Sequence, residues 1–314
     1  MTNLNNLLPK LVPPAGTAWR GSELGAVGGS AAAYNAKYKI PLHVWRTFDE
    51  NVTVEQADWV QQGGILWFNF LVAHGKLGSW RTIADGAHDD SLARYAIAVG
   101  SLAPAGVFVC PWHEPDHQVD PLNGMSTDDF RDMYRHVQAV FAAHNASNAV
   151  WAMDYSSQTA YHTTANVVPL WPGDDAIDWL FFNVFEKAKQ LSNDGEDYAN
   201  LTSRIYETLE ATSRGVAGAP GCKRGCNFTS KPWGLGAFGS HADVPAAGRV
   251  KFVRDAQTHL KTFPRLSAYL YYDSKDSAVS AGAMQSAYQD FIGVPTFAAN
   301  DAGAPPVGLV EVES

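Results

Sequence analysis

The sequence predicts a single (β/α)₈ barrel, and three observations support this fold class. Short apolar runs alternate with longer amphipathic stretches along the whole chain, as they do in repeated βα units. Eight such apolar runs occur, which is the strand count of a closed parallel barrel. The length of 314 residues, with 46% hydrophobic side chains, is enough for one large core. We therefore expect functional groups at the carboxyl ends of the strands.

The predicted strands follow one another at regular intervals. They cover residues 16–25, 40–48, 63–71, 106–114, 148–155, 177–185, 231–239 and 266–273. Between them, residues 89–103 carry apolar side chains every three or four positions, which indicates a helix. Residues 126–144 predict another helix, with Ser126 or Thr127 as the N-cap and acidic residues in the first turn.

The barrel is predicted to span residues 16–298, between an N-terminal extension (1–15) and a C-terminal tail (299–314). The longest connection, 187–230, contains a helix-like stretch and then a loop, and a loop of this length at the strand-end face is suited to wall a binding cleft. In that loop Cys222 and Cys226 either form a small disulfide or remain thiols. Cys110, in an apolar run, is expected to be buried.

Composition and charge argue against several classes of partner. The net charge of −9 and the scattered basic residues argue against a nucleic-acid partner. No apolar run approaches the roughly 20 residues that span a bilayer, and the first residues lack the layout of a secretory signal, so the sequence leaves the localisation open. The histidines lack the close spacing of a metal site, and we expect no metal, no cofactor and a monomer.

Glu114 stands out as a candidate acid. It ends the predicted fourth strand, where reacting groups of a barrel lie, and Pro115 follows it. A proton donor to a glycosidic oxygen must be protonated near neutral pH, and an aromatic wall such as Trp112 favours that state. The simpler alternative is a surface glutamate paired with a nearby arginine or histidine.

Three motifs carry a resemblance to a known family. Trp-His-Glu-Pro at 112–115, GAHDDSLARYAIAVG at 86–100 and KPWGLGAFGSH at 231–241 resemble glycoside hydrolase family 26 and its relatives among retaining (β/α)₈ glycosidases, over about residues 16–275. The resemblance implies that Glu114 is the general acid/base, with His113 beside it. It also implies a second glutamate, the nucleophile, at the end of the seventh strand.

At that second position the sequence departs from the family, because the matching residue is Ala237. A methyl group cannot attack an anomeric carbon, so the chain is expected to bind sugar and to hydrolyse it poorly. Three explanations remain open. Ala237 is a deliberate replacement of glutamate, or the protein is a natural pseudo-enzyme, or the catalytic layout is shifted to Asp154, Glu186 or Asp273, which follow other strands.

Other strand ends supply candidate sugar contacts. By resemblance, Arg46 supports the nucleophile and His74 lies where the cleaved sugar binds, although a surface arginine and a structural histidine are the alternatives. Aromatic rings suit the CH faces of sugars, and polar groups bond to the hydroxyls. On these grounds the remaining candidates for sugar contacts are Trp19, Glu23, Trp112, His113, Asp116, Asp154, Glu186, Trp233 and His241. Phe185 lies near the end of the sixth predicted strand, where the family often has a tyrosine. A phenylalanine there lacks the hydroxyl that, by resemblance, contacts the nucleophile.

The sequence therefore predicts a retaining endo-β-glycoside hydrolase acting on a β-linked polysaccharide. Because Ala237 occupies the nucleophile position, the chain is expected to be an inactivated variant that still binds glycan. Mannan is the first substrate implied by the resemblance, while xylan, glucan and bacterial surface glycan stay open. The alternative is a non-catalytic carbohydrate-binding protein on a hydrolase fold.

Overall fold

The computed structural model describes residues 9–24, 29–49, 51–69, 78–156, 164–187, 197–215, 226–274 and 277–298. Eight parallel strands close into a barrel in chain order, and the last strand pairs with the first. They are β1 (Trp19–Glu23), β2 (Val44–Thr47), β3 (Ile65–Asn69), β4 (Val107–Cys110), β5 (Ala149–Tyr155), β6 (Trp179–Glu186), β7 (Trp233–Ser240) and β8 (Leu266–Tyr272). The predicted (β/α)₈ fold is confirmed.

Helices surround the barrel, and several begin at caps that the sequence encodes. They are α1 (Ala31–Tyr38), α2 (Val54–Gln61), α3 (Trp80–Ala84), α4 (Asp89–Gly100), α5 (Thr127–Ala143), α6 (Thr164–Leu170), α7 (Tyr198–Gly215), α8 (Ala246–Thr258), α9 (Ala283–Ile292) and α10 (Pro295–Ala298). The α5 helix starts at a capping box, in which the Ser126 hydroxyl accepts from the Asp129 N–H and the Asp129 carboxylate accepts from the Ser126 N–H. The predicted helices at 89–103 and 126–144 are thus confirmed, with slightly earlier ends.

The fourth strand is shorter than predicted. It ends at Cys110, four residues before Glu114, because Pro111 has no N–H to continue the ladder. Residues 111–114 therefore form a connection that carries Glu114 beyond the strand, and a short 3₁₀ turn, Pro115–His117, follows it.

Two apolar cores hold the strands in place. One lies between the strands and the helices, and the other fills the barrel interior. Aromatic rings dominate the interior, where Trp67 packs at 4.1 Å from Phe181 and Phe181 stacks on Trp179 at 5.2 Å between ring centroids. A filled interior of this kind leaves the carboxyl ends of the strands as the place for a ligand.

The segment Pro9–Leu11 closes the amino-terminal end of the barrel. Leu11 is 1% exposed and belongs to the interior core. The indole N–H groups of Trp19 and Trp179 donate to the carbonyl oxygens of Leu11 and Lys10, each at 2.7 Å. Part of the predicted N-terminal extension is therefore the floor of the barrel.

The cysteines differ in state. Cys110 is a buried, unpaired thiol, as predicted, and burial raises its pKa well above the usual range. Cys226 is disulfide-bonded, and Cys222 lies outside the described residues. No helix within the described ranges has the length and apolar character needed to cross a membrane.

Candidate functional site

Glu114 is held in an uncommon backbone conformation. Its φ and ψ are 50° and 49°, the left-handed region, although the residue is not glycine and a proline follows it. Such a conformation costs on the order of 1 kcal/mol or more and persists where the surroundings fix it. Here the Glu114 N–H donates to the Asp154 carbonyl oxygen at 2.8 Å, which anchors the connection after β4 to the end of β5.

One carboxamide links Glu114 to position 237. The Asn183 Nδ2 atom donates to Glu114 Oε1 at 2.6 Å, and Asn183 Oδ1 accepts from the Ala237 N–H at 2.7 Å. Asn183 lies on β6 and is 2% exposed, while Ala237 lies on β7 and is 8% exposed. The candidate acid and the alanine in the expected nucleophile position therefore lie at the same end of the barrel, on either side of a single side chain.

A buried ion pair lies beside this bridge. Arg46 Nη2 and Asp154 Oδ2 are 2.6 Å apart, and both side chains are almost fully buried. The guanidinium also lies over the rings of Trp67 and Phe48, at 4.4 and 4.9 Å. Arg46 Nε, Arg46 Nη1 and Asp154 Oδ1 have no hydrogen-bond partner within the part of the chain that the structure describes.

Burial dominates the electrostatics of Asp154. Desolvation raises its pKa to about 6, against the opposing attraction of Arg46, and the neighbouring Glu114 carboxylate adds to the rise. The carboxyl group thus titrates within the range in which an acid/base pair operates. Three charged groups, Arg46, Asp154 and Glu114, interact across the ends of β2, β4 and β5.

Gly236 lets this polar cluster approach β7. A Cβ atom at position 236 would lie 2.5 Å from Asp154 Oδ1 and 3.0 Å from both Arg46 Nη1 and Asn183 Oδ1. The first distance is shorter than side-chain contacts allow, so only glycine fits while the cluster keeps its place. The residue immediately before Ala237 therefore contacts the same groups that surround Glu114.

Half-buried aromatic rings border the site. On the side of β2 and β4, Phe48 and His113 meet edge to face at 5.2 Å. On the side of β6 to β8, Phe185 meets His241 at 5.4 Å and Tyr272 at 5.6 Å. Rings that retain exposed edges beside carboxylates and an amide suit a sugar, which presents both CH faces and hydroxyls.

Three tryptophans predicted as sugar contacts lie elsewhere. Trp19 is part of the barrel floor. Trp233 starts β7 and packs in the outer core, where its indole donates to the Phe228 carbonyl oxygen at 2.9 Å. Trp112 is 4% exposed and packs against Trp80 at 5.9 Å in the same outer core. These predictions are wrong because the first residues of a strand, and residues that face the helices, do not reach the mouth.

Several predicted carboxylates also have structural partners. The Asp116 carboxylate accepts from the Ser156 N–H at 2.9 Å and from its hydroxyl at 2.6 Å, which ties the connection after β4 to the end of β5. Glu186 accepts from the Ser240 hydroxyl on β7, and burial raises its pKa. Its charged neighbours, Arg249, Lys251 and Asp255, all belong to α8.

Asp273 likewise faces the outer layer. It accepts from the Tyr38 hydroxyl at 2.5 Å and from the Val279 N–H at 2.7 Å. Of the three carboxylates considered as substitutes for the missing nucleophile, only Asp154 therefore lies beside Glu114. The expectation that Glu186 and Asp273 reach the same mouth is wrong, since their side chains point away from the barrel axis toward helices.

The remaining candidates divide between the mouth and the undescribed part of the chain. Glu23 ends β1, pairs in register with Arg46 and Tyr272, and is half-buried at the carboxyl end of the barrel. His74 lies outside the described residues. Within the described ranges, no three His, Cys, Asp or Glu side chains are grouped as a metal site requires.

Asn183 is the main residue that the sequence analysis missed. The only signal was one amide within the apolar strand WLFFNVFE, at residues 179–186. A buried polar side chain of this kind requires a partner, which points to a role but does not identify the partner. Phe48 and Tyr272, at the strand ends, were also missed.

Comparison with solved structures shows many barrels with this fold. A family 26 β-mannanase from Bacteroides ovatus is 12% identical, with 89% of each chain covered and a TM-score of 0.59. The catalytic domain of a family 26 endo-β-1,4-mannanase from Bacillus sp. JAMB-750 is 11% identical, with 95% of this chain and 91% of that chain covered and a TM-score of 0.66. A family 128 endo-β-1,3-glucanase from Sorangium cellulosum is 14% identical, with 86% of this chain and 97% of that chain covered and a TM-score of 0.55.

The sequence matches no protein-family model and no curated protein. At these identities the likeness establishes the fold, which is that of the family 26 mannanases, as the sequence resemblance implied.

Proposed function

We propose that this protein binds a β-linked polysaccharide in the layout of a retaining endo-β-glycoside hydrolase, with Glu114 as the general acid/base and position 237 as the nucleophile site. One observation carries the proposal: Asn183 bridges the Glu114 carboxylate and the Ala237 backbone through two hydrogen bonds. The two positions that the chemistry requires are thereby held close together at the mouth of the barrel.

The residues present support the first half of such a reaction. Glu114 protonates the oxygen of the bond to be cleaved, and its half-buried position limits competition from water. A retaining enzyme also needs a carboxylate about 5 Å from the acid, on the opposite side of the anomeric carbon. The Ala237 methyl group supplies no such attack, so the chain as written binds glycan and turns it over slowly.

The substrate class follows from the site and from the fold neighbours. The net charge of −9 favours a neutral glycan over a polyanionic one. The neighbours named above are mannanases and a β-1,3-glucanase. β-Mannan is therefore our first choice, followed by glucan, xylan and bacterial surface glycans.

The decisive experiment restores the carboxylate. A237E is assayed for release of reducing ends from a panel of β-glycans, beside the unmodified chain and the matched control A237Q, which has the same shape without the charge. We expect activity in A237E alone and its loss in the double variant E114Q/A237E. An inactive A237E that still binds one of the glycans would contradict the catalytic assignment.

A second experiment uses the unmodified chain with sodium azide and an aryl β-glycoside. Azide attacks the anomeric carbon as the bond to the aryl oxygen breaks, which gives a glycosyl azide of inverted configuration and a phenol. The space left by the missing side chain at position 237 is where azide would act. Failure of both experiments would favour the second candidate function.

That second candidate is a non-catalytic carbohydrate-binding protein on a hydrolase fold. Ala237 favours it, because a methyl group stands where the carboxylate needed for attack on the anomeric carbon is expected. It predicts retained glycan binding in the unmodified chain, measured by affinity electrophoresis, together with no turnover by A237E.

A further inference from the structure

The orientation of the Asn183 carboxamide is fixed by chemistry. The Ala237 N–H is a donor, so the Asn183 atom that faces it at 2.7 Å must be the carbonyl oxygen. The NH₂ group is consequently directed at Glu114 Oε1, at 2.6 Å. The opposite orientation would set two donors against each other in a site where Asn183 is only 2% exposed.

This orientation makes the two oxygens of Glu114 unequal. Oε1 accepts an N–H from Asn183, so it cannot also direct a proton toward that nitrogen. A proton on the carboxyl group is therefore placed on Oε2. The Glu114 backbone is independently held through its N–H, which donates to Asp154, and through its carbonyl oxygen, which accepts from Gln118 Nε2 at 3.2 Å.

We infer that Asn183 is a positioning residue that reserves Oε1 of Glu114 as an acceptor, leaves Oε2 to carry the proton given to the leaving group, and ties that carboxyl group to the backbone at position 237. The inference rests on the proposed function of Glu114. The inference adds two points to that function. It assigns the proton to one oxygen of Glu114, and it makes a residue of β6 responsible for the spacing between the acid and the nucleophile site.

Four ionisable side chains near Glu114 are not altered by a substitution at position 183. Arg46 comes from β2 and Asp154 from β5, while His113 and Asp116 belong to the segment that carries Glu114. Replacing Asn183 by aspartate leaves all four in place. It keeps an oxygen for the Ala237 N–H and substitutes a second carboxylate for the donor that faces Glu114.

The test follows the Glu114 carboxyl carbon by ¹³C NMR in chains labelled at glutamate, with the signal identified by its loss in E114Q. We expect N183D to move the titration midpoint of this signal upward by about one pH unit or more relative to the unmodified chain. The reason is that the charge on one carboxylate disfavours ionisation of a carboxyl group beside it. N183A removes the donor without adding charge, and a smaller upward shift is expected.

N148D is the matched control. Asn148 donates to the Val99 and Ala105 carbonyl oxygens, both at 2.8 Å, at the amino-terminal end of β5, so its replacement perturbs the fold without touching Glu114. The inference is overturned if the Glu114 signal titrates at the same pH in N183D, N183A and the unmodified chain, or if N148D shifts it equally. N183A serves alone if N183D does not fold.

Activity supplies an independent readout in the A237E background. We expect N183A to lower kcat by about tenfold or more with little change in KM, since positioning acts on the reaction step rather than on glycan binding. The NMR result does not depend on turnover. An inactive A237E would therefore count against the proposed function, while the effect of Asn183 on the Glu114 carboxyl group would remain measurable.

Discussion

The Arg46–Asp154 pair makes a prediction about the sign of a stability change. Asp154 has a pKa of about 6 in the folded protein, raised from 3.8 by burial, so the folded state keeps a proton that the unfolded chain releases. Stability conferred by this difference is present below about pH 4 and is lost as the pH rises to about 6. A shift of this size corresponds to about 3 kcal/mol in the free energy of unfolding.

The substitution D154N isolates that term. The amide has the shape of the carboxyl group and keeps an oxygen for Arg46, but it never takes on the charge. Near neutral pH we expect D154N to be more stable than the unmodified chain by up to about 3 kcal/mol, with the difference vanishing near pH 4. The assay is equilibrium unfolding in urea, followed by fluorescence of the ten tryptophans across this pH range.

A loss of stability in D154N would have a different physical cause. If the attraction of Arg46 outweighs burial, D154N leaves a buried guanidinium without its counter-ion and loses about 3 to 5 kcal/mol. D175N is the control, because the Asp175 partner of Arg135 is 64% exposed, and such a surface pair contributes at most about 1 kcal/mol. A destabilised D154N, or one whose pH dependence matches that of the unmodified chain, would refute the reasoning.

Three further substitutions test other parts of the structure. G236A places a methyl group 2.5 Å from Asp154 Oδ1, so we expect a loss of about 1 to 3 kcal/mol in urea unfolding and weaker glycan binding, whereas equal stability would show that the cluster can shift. E114G relieves the strain of the left-handed backbone at this position, and we expect a gain of about 1 kcal/mol in stability. In the A237E background the same change should abolish activity. A loss of stability would show that the hydrogen bond from Asn183 outweighs the strain. Y38F removes the hydroxyl that donates to Asp273, and we expect a loss of about 1 to 3 kcal/mol with glycan affinity unchanged, so reduced affinity would place Asp273 nearer the site than its contacts indicate.

The fold was predictable because its evidence is repeated along the chain. Each observed strand overlaps a predicted one, since alternating apolar runs and amphipathic helices specify a parallel barrel without any long-range information. Strand ends were less certain. The fourth strand stops at Cys110 because Pro111 cannot donate to the ladder, and the apolar pattern around it continues regardless.

The site was only partly predictable. Glu114 and Ala237 lie in motifs and Arg46 lies near the end of the second predicted strand, so their meeting at one end of the barrel was expected. The direction of a tryptophan side chain depends on its position along the strand, which is why Trp19 and Trp233 were misplaced. Because sequence gives no distance between strands, it offered no sign that an amide on β6 contacts both of the key positions.

The hydrogen bonds at the amino-terminal end of the barrel limit how far the protein can be shortened. A version beginning at residue 16 would uncover the indole rings of Trp19 and Trp179. It would also remove the Leu11 and Lys10 carbonyl oxygens that accept from their N–H groups. Such a version would keep every residue of the mouth, yet its lower end would be open to solvent and prone to self-association. For crystallisation or for transplanting the site, the shortest sound unit therefore starts no later than Pro9.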